Sequence, residues 1–137
     1  MTCGIGKSLV PWMLQNGASN IVLSGRSACS SLEMPEFVRH YNSSPGGIHV
    51  RVVTCEVSSR ESISSAIASI SDLPTIKEII HGAMHLRESL FLNATFQDWQ
   101  DINRPKVDAA WNLHHLVPDL DFFVAFEPGV NVVGNIG

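Results

Sequence analysis

The sequence predicts an α/β fold, an open doubly wound sheet of parallel strands, and two observations predict it. Short β-branched and apolar runs alternate with helical patterns along the 137 residues, the signature of successive βαβ units. The runs are also nearly continuous in apolar residues, as strands covered on both faces of a parallel sheet must be.

The elements follow in order. The chain opens on Met-Thr-Cys-Gly-Ile-Gly, a glycine-bearing turn with no strand before it. A helix is predicted over 6–15, with apolar residues at Leu9, Trp12, Met13 and Leu14. Asn16-Gly17 supplies its stop, because glycine readily takes the left-handed conformation that closes a helix. Pro11 falls inside this helix and removes an amide donor, a cost of about 3 kcal/mol in a regular helix. Asn20-Ile-Val-Leu-Ser24 is the first strand, bounded by Gly17 and Gly25. A second helix over 32–41 leads to the second strand, which runs from Ile48 to Cys55 and is rich in valine. Ser59 is placed to cap a third helix whose apolar positions are Ile63, Ala66, Ile67 and Ile70. Glu78-Ile-Ile-His81 is the third strand and Leu120 to Phe126 the fourth. Between them the longest helical pattern covers 96–116, and Pro105 is expected to break it, kink it or begin a new helix.

Composition narrows the function classes. At 45% hydrophobic and 16% charged residues the chain is too apolar to be disordered. Nine basic against thirteen acidic residues give a net charge of −4 with no basic stripe, which argues against a nucleic-acid partner. No apolar run is long enough to cross a bilayer, so no membrane partner is expected. With no charged-then-apolar leader, a cytoplasmic protein is predicted. Cys3, Cys29 and Cys55 are widely spaced and form no CxxC, so neither a disulfide framework nor a zinc site is expected. Asn42-Ser-Ser and Asn93-Ala-Thr match the glycosylation pattern but read as surface turns. With no repeat, linker or low-complexity tract, a single domain over 1–137 is expected.

A few residues stand out for their chemistry, each with a plainer alternative. Gly4 and Gly6 either let a phosphate approach the helix N-terminus, where free amides and the dipole favour anions, or form an ordinary turn. Arg26, just past the first strand, suits a nucleotide 2′-phosphate or is a solvated loop arginine. Glu56, past the second strand, sits beside an adenine or caps the following helix. Lys106 either holds a ribose and lowers a neighbouring hydroxyl's pKa or is a solvated lysine in a helical first turn. His81 and His85 are four apart, but no acidic residue completes HExxH and the stretch reads as strand end and loop, so no metal is expected. His114 and His115 fall at a helix end and complement its dipole.

A longer pattern adds to this reading. It comprises Ile79-Ile-His-Gly-Ala-Met-His-Leu-Arg-Glu-Ser-Leu-Phe91, Trp99, Asn103-Arg-Pro-Lys-Val-Asp-Ala-Ala-Trp-Asn-Leu-His114 and Leu120-Asp-Phe-Phe-Val124. Together with Ser24-Gly-Arg26, Cys55-Glu-Val57 and Gly134-Asn-Ile-Gly137, this resembles the ketoreductase domain of fungal highly reducing polyketide synthases, within the short-chain dehydrogenase/reductase superfamily. The resemblance implies a Rossmann-like sheet and NADPH-dependent reduction of a β-ketoacyl thioester to the β-hydroxyacyl form. It also implies an acyl-carrier-bound polyketide intermediate or a polyketide synthase as partner. By the same resemblance Lys106 takes the place of the family's catalytic lysine and Arg26 that of its 2′-phosphate arginine. Glu56 stands in for the adenine-side aspartate, and Gly82-Ala83 line the cofactor at a strand end.

Some positions depart from the family pattern. Met1 and Cys3 fall at two glycines of the GxGGxG turn, while Gly4 and Gly6 keep theirs. Pro128, within Glu127-Pro-Gly-Val-Asn131, falls at the catalytic serine, and the family tyrosine would come after Gly137. Tyr41, the sole tyrosine, belongs elsewhere in the fold. The expectation is therefore an incomplete Rossmann-like sheet, lacking the first strand and the C-terminal catalytic helix, with weak or absent activity. The absent strand would leave the edges at 20–24 and 77–81 to re-pair, collapse or borrow a strand. The alternative is a non-catalytic remnant or docking module of a polyketide synthase.

Overall fold

A computed structural model describes residues 5–27, 34–85 and 91–126. Its elements are α1 (Ile5–Gln15), β1 (Asn20–Gly25), α2 (Met34–Asn42), β2 (His49–Thr54), α3 (Arg60–Ala68) and β3 (Glu78–His81). A 3-10 turn (Phe91–Asn93), α4 (Phe96–Asn103), a π-helical turn (Arg104–Asp108), α5 (Ala109–Leu116) and β4 (Phe122–Ala125) follow. The chain gathers into two compact units, Met1–Glu56 with Glu61–Thr75, and Val57–Arg60 with Ile76–Gly137.

The first unit is built on a parallel pair. β1 and β2 run in register from Asn20 opposite His49 to Gly25 opposite Thr54, and α2 lies in the crossover that parallel strands require. Its core is apolar: Val10, Ile21, Leu23, Met34 and Val50 are buried together, with Met13, Leu14, Phe37 and Tyr41 packed against them. The inward face of α1 is thus Val10, Met13 and Leu14, at the i, i+3, i+4 spacing of one helical stripe. Trp12, counted in the apolar pattern, instead faces outward and is 59% exposed. It lies two residues beyond Val10, which on a helix is the opposite side.

α1 continues through Pro11 and ends where the sequence places its stop. Ala18 N–H donates to Met13 O at 3.0 Å and Gly17 N–H to Leu14 O at 3.2 Å. This is a Schellman closure, and Gly17 takes the φ of 99° that it needs. Asn42, read as part of a surface turn, is a clamp instead. Its side chain accepts from Val50 N–H at 2.7 Å and donates to Val50 O at 3.0 Å, fastening the end of α2 to β2.

The second unit repeats the plan. β3 and β4 are parallel, with Ile79 opposite Phe123 and His81 opposite Ala125, and the crossover carries α4, the π turn and α5. Among the described residues β1 pairs with β2 alone and β3 with β4 alone. The predicted α/β class with parallel strands is present.

Pro105 neither breaks the long helix nor starts a new one. The hydrogen-bond ladder widens over Arg104–Asp108, so that Ala109 N–H reaches Arg104 O, five residues back. A π turn accommodates one extra residue, and with it a proline that lacks its own donor, without ending the helix. The extra residue also rotates the following face. Ala109 is fully buried, whereas Val107 and Trp111 are 47% and 60% exposed. α4 begins with a capping box: Asp98 N–H donates to Thr95 Oγ1 at 3.2 Å, and Thr95 N–H to Asp98 Oδ2 at 2.8 Å.

Candidate functional site

In the first unit the candidate groups lie where parallel strands end. Ligands of open α/β sheets bind beyond the carboxyl ends of strands, and Arg26 and Glu56 follow the last residues of β1 and β2 closely. Their register explains the meeting: Gly25 pairs with Thr54, and Cys55 N–H donates to Gly25 O at 3.2 Å. Arg26 Nε lies 3.7 Å from Glu56 Oε2, with the two side chains 68% and 41% exposed. A pair so open to water is weak, so Arg26 remains accessible to a stronger anion. The Glu56 backbone N–H donates to Ser62 Oγ at 2.9 Å, which ties the strand end to α3.

Gly6 is buried in the first turn of α1. Gly4 lies outside the described residues. Beneath the Glu56 loop, Cys55 is 4% exposed, and burial pushes its thiol pKa up. It is an inert core group rather than a nucleophile.

The second unit holds the other candidates. Gly82 and Ala83, both half-buried, follow β3 directly. Lys106 sits in the π turn, and its Nζ donates to the carbonyl of Phe126, just past β4. The turn therefore aims the ammonium group at the carboxyl end of the β3–β4 pair. His85 is half-buried in the loop after Ala83. Among the described residues no cluster of three His, Cys, Asp or Glu side chains is arranged to hold a metal. His114 and His115 lie in the last turn of α5, as the dipole argument predicts, and His115 Nδ1 is 2.7 Å from Trp111 O.

Sequence reasoning passed over His81 except as a metal ligand. It is 4% exposed, at the last position of β3, and its Nε2 has no partner among the described residues. Burial holds its pKa below the usual histidine range. The one signal in the sequence was a histidine ending an apolar strand. Tyr41 packs edge-on to Phe37 at 5.0 Å in the first unit, a structural role. Pro128 and the rest of 127–137 lie outside the described residues. No helix among the described residues is long and apolar enough to cross a membrane.

Comparisons with known proteins agree with this layout. The family model of the KR domain matches residues 2–137. The chain is 52% identical over 136 residues to the highly reducing polyketide synthase valA of Aspergillus terreus, covering 99% of this chain. It is 39% identical over 137 residues to the highly reducing polyketide synthase Preu5 of Preussia isomera. In both cases the chain spans 5% of the relative's length. Among solved structures, A-type ketoreductases from a modular polyketide synthase match with a TM-score of 0.84 at 27% identity, over 98% of this chain and 28% of theirs. The parallel strands, the helical crossovers and the match over nearly every residue lead to one assignment: the chain belongs to the KR domain family.

Proposed function

We propose that this chain, as a single domain over 1–137, serves the NADPH-dependent reduction of a β-ketoacyl thioester in polyketide biosynthesis. Its substrate would be an acyl-carrier-bound intermediate and its setting a polyketide synthase. The observation that carries the reading is the position of the candidate groups at the carboxyl ends of parallel strands, Arg26 and Glu56 in one unit and Gly82 and Ala83 in the other.

The residues fit an adenine dinucleotide phosphate. Arg26 is exposed and its ion pair with Glu56 is long, so its guanidinium can exchange Glu56 for a 2′-phosphate, a dianion that it grips through two parallel hydrogen bonds. Gly6, in the first turn of α1, carries no side chain that would bar a pyrophosphate from the helix N-terminus. Gly82 and Ala83 present almost no side chain where a nicotinamide ring must lie flat. When bound, NADPH would supply the hydride for the carbonyl carbon, and the carbonyl oxygen would take its proton from solvent. Lys106 Nζ, oriented by the Phe126 carbonyl, is placed to bind a ribose and to lower the pKa of a hydroxyl brought beside it.

The test is NADPH consumption by the protein with a short β-ketoacyl thioester, beside a Lys106→Ala variant. With proline at the serine position the expected result is weak substrate-dependent turnover, which falls further in the variant by up to about 10²-fold, the lower range for a positioned proton-transfer group. Turnover no higher than that of Lys106→Ala contradicts the proposal.

A further inference from the structure

Arg26 already faces an anion of its own chain. Glu56 Oε2 lies 3.7 Å from Arg26 Nε, and two ties fix the backbone that carries this carboxylate. The first is the sheet register: Gly25 stands opposite Thr54, and Cys55 N–H donates to Gly25 O at 3.2 Å. Arg26 and Glu56 therefore leave the parallel pair side by side. The second tie is Ser62, in the first turn of α3, whose Oγ accepts from Glu56 N–H at 2.9 Å. The same hydroxyl donates to Cys55 Sγ at 3.9 Å, so it bridges the two residues that follow β2. Cys55 is itself buried. With the backbone anchored from both sides, a move of the Glu56 carboxylate is a change of side-chain rotamer and not of the loop.

Electrostatics makes this carboxylate selective between ligands. Opposite charges at this distance and open to water attract weakly. A phosphate monoester carries close to two negative charges and three acceptor oxygens, so it can displace a carboxylate from a guanidinium. Its binding must nevertheless break the Arg26–Glu56 pair and then tolerate a like charge nearby. A ribose 2′-hydroxyl is neutral and requires neither change. Glu56 thus weighs against the phosphorylated ribose and leaves the plain one alone.

We infer that Glu56 is a specificity-determining residue that acts through Arg26: its carboxylate holds the guanidinium until a 2′-phosphate displaces it, and so limits how strongly the site prefers the phosphorylated cofactor. Resting on the assignment of Arg26 to the 2′-phosphate, this role differs from an adenine contact, which would serve both cofactors alike.

The experiment titrates the full chain with NADPH and with NADH, which differ only at the 2′ position, following cofactor fluorescence. It compares wild type with Glu56→Gln, which keeps the shape and removes the charge, and with Glu56→Ala, which removes the reach. Each is also made in the Arg26→Ala background, and a thermal melt accompanies every variant. Glu56→Gln and Glu56→Ala are each expected to bind NADPH about threefold more tightly than wild type, the weight of an exposed ion pair, with NADH affinity unchanged. In the Arg26→Ala background the gain is expected to vanish. If one of the two does not melt cooperatively, the other makes the same comparison. Unaltered NADPH affinity in the folded variants overturns the inference. So does an equal change in NADH affinity, the mark of an adenine contact, or a gain that persists without Arg26. Absence of saturable NADPH binding in wild type and every variant overturns the proposed function itself, and this role with it.

Discussion

The two units share a plan, a parallel strand pair with a helical crossover, but they are held together differently. The first is fastened by an apolar cluster in which Val10, Met34 and Val50 are each at most 2% exposed. The second buries little of its apolar surface by comparison. Phe96, Trp99, Trp111 and Phe122 are all exposed, while His81 and Asp98, both polar, are buried. Its internal ties are directional: the Thr95–Asp98 box, Asn112 donating to Ser58 O at 3.0 Å, and Lys77 Nζ donating to Asp119 O at 3.1 Å. The candidate groups differ in the same way. Arg26 is exposed and adaptable, whereas Lys106 is aimed by a turn with a defined shape. A site that recognises a flexible anion tolerates the first, and a site that performs proton chemistry needs the second.

Substitutions sharpen this contrast, and the largest effect is expected in the first core. Met34→Ala should destabilise the protein by about 2–5 kcal/mol, because its neighbours cannot close on the vacated space. Urea denaturation measures it, and a loss below ~1 kcal/mol would show that this core is loosely packed. In the second unit Thr95→Ala removes a cap whose loss typically costs ~1 kcal/mol, read by the same denaturation. A Thr95→Ser variant should recover most of it, since the hydroxyl is what accepts.

A pH series separates the polar unit from the apolar one. The His81 pKa is depressed in the fold, chiefly by burial, from an ordinary value of 6.5. Between the folded and ordinary pKa the unfolded chain holds more protons, so stability is full above about 6.5 and falls as the pH drops below it. Melts over that range should show this slope in the wild type and a shallower one in His81→Phe; identical slopes would mean that the imidazole is already solvated. The smallest effect belongs to Arg51 and Asp72, a two-toothed surface pair at 2.6 and 2.7 Å. The hydrogen bond to Arg51 holds the Asp72 carboxyl below its ordinary 3.8. Its contribution is therefore present above that pH and is lost only as the pH falls through the folded value. Arg51→Ala should leave the melt at neutral pH nearly unchanged, as exposed pairs do.

Much of this was legible in the sequence, for identifiable reasons. The alternation of strands and helices, the stop at Gly17 and the strand-end placement of Arg26, Glu56, Gly82 and Ala83 follow from patterns spanning a few residues. What escaped depends on contacts between distant residues or on hydrogen-bond register. The π turn at Pro105 widens the hydrogen-bond ladder, and a fixed 3.6-residue period cannot register an inserted residue. Asn42 reads as a turn residue until β2 arrives beside it. His81 drew notice only for its spacing from His85, already rejected as a metal pair, and spacing says nothing of burial.

The most direct measurement of the central claim is a titration of the protein and its Arg26→Ala variant with NADPH and with NADH, followed by cofactor fluorescence. The account predicts saturable binding that favours NADPH, with the preference reduced about tenfold in Arg26→Ala, the weight of one charged hydrogen-bonding partner. Equal binding of the two cofactors by the wild type, or a preference that survives in Arg26→Ala, would contradict it.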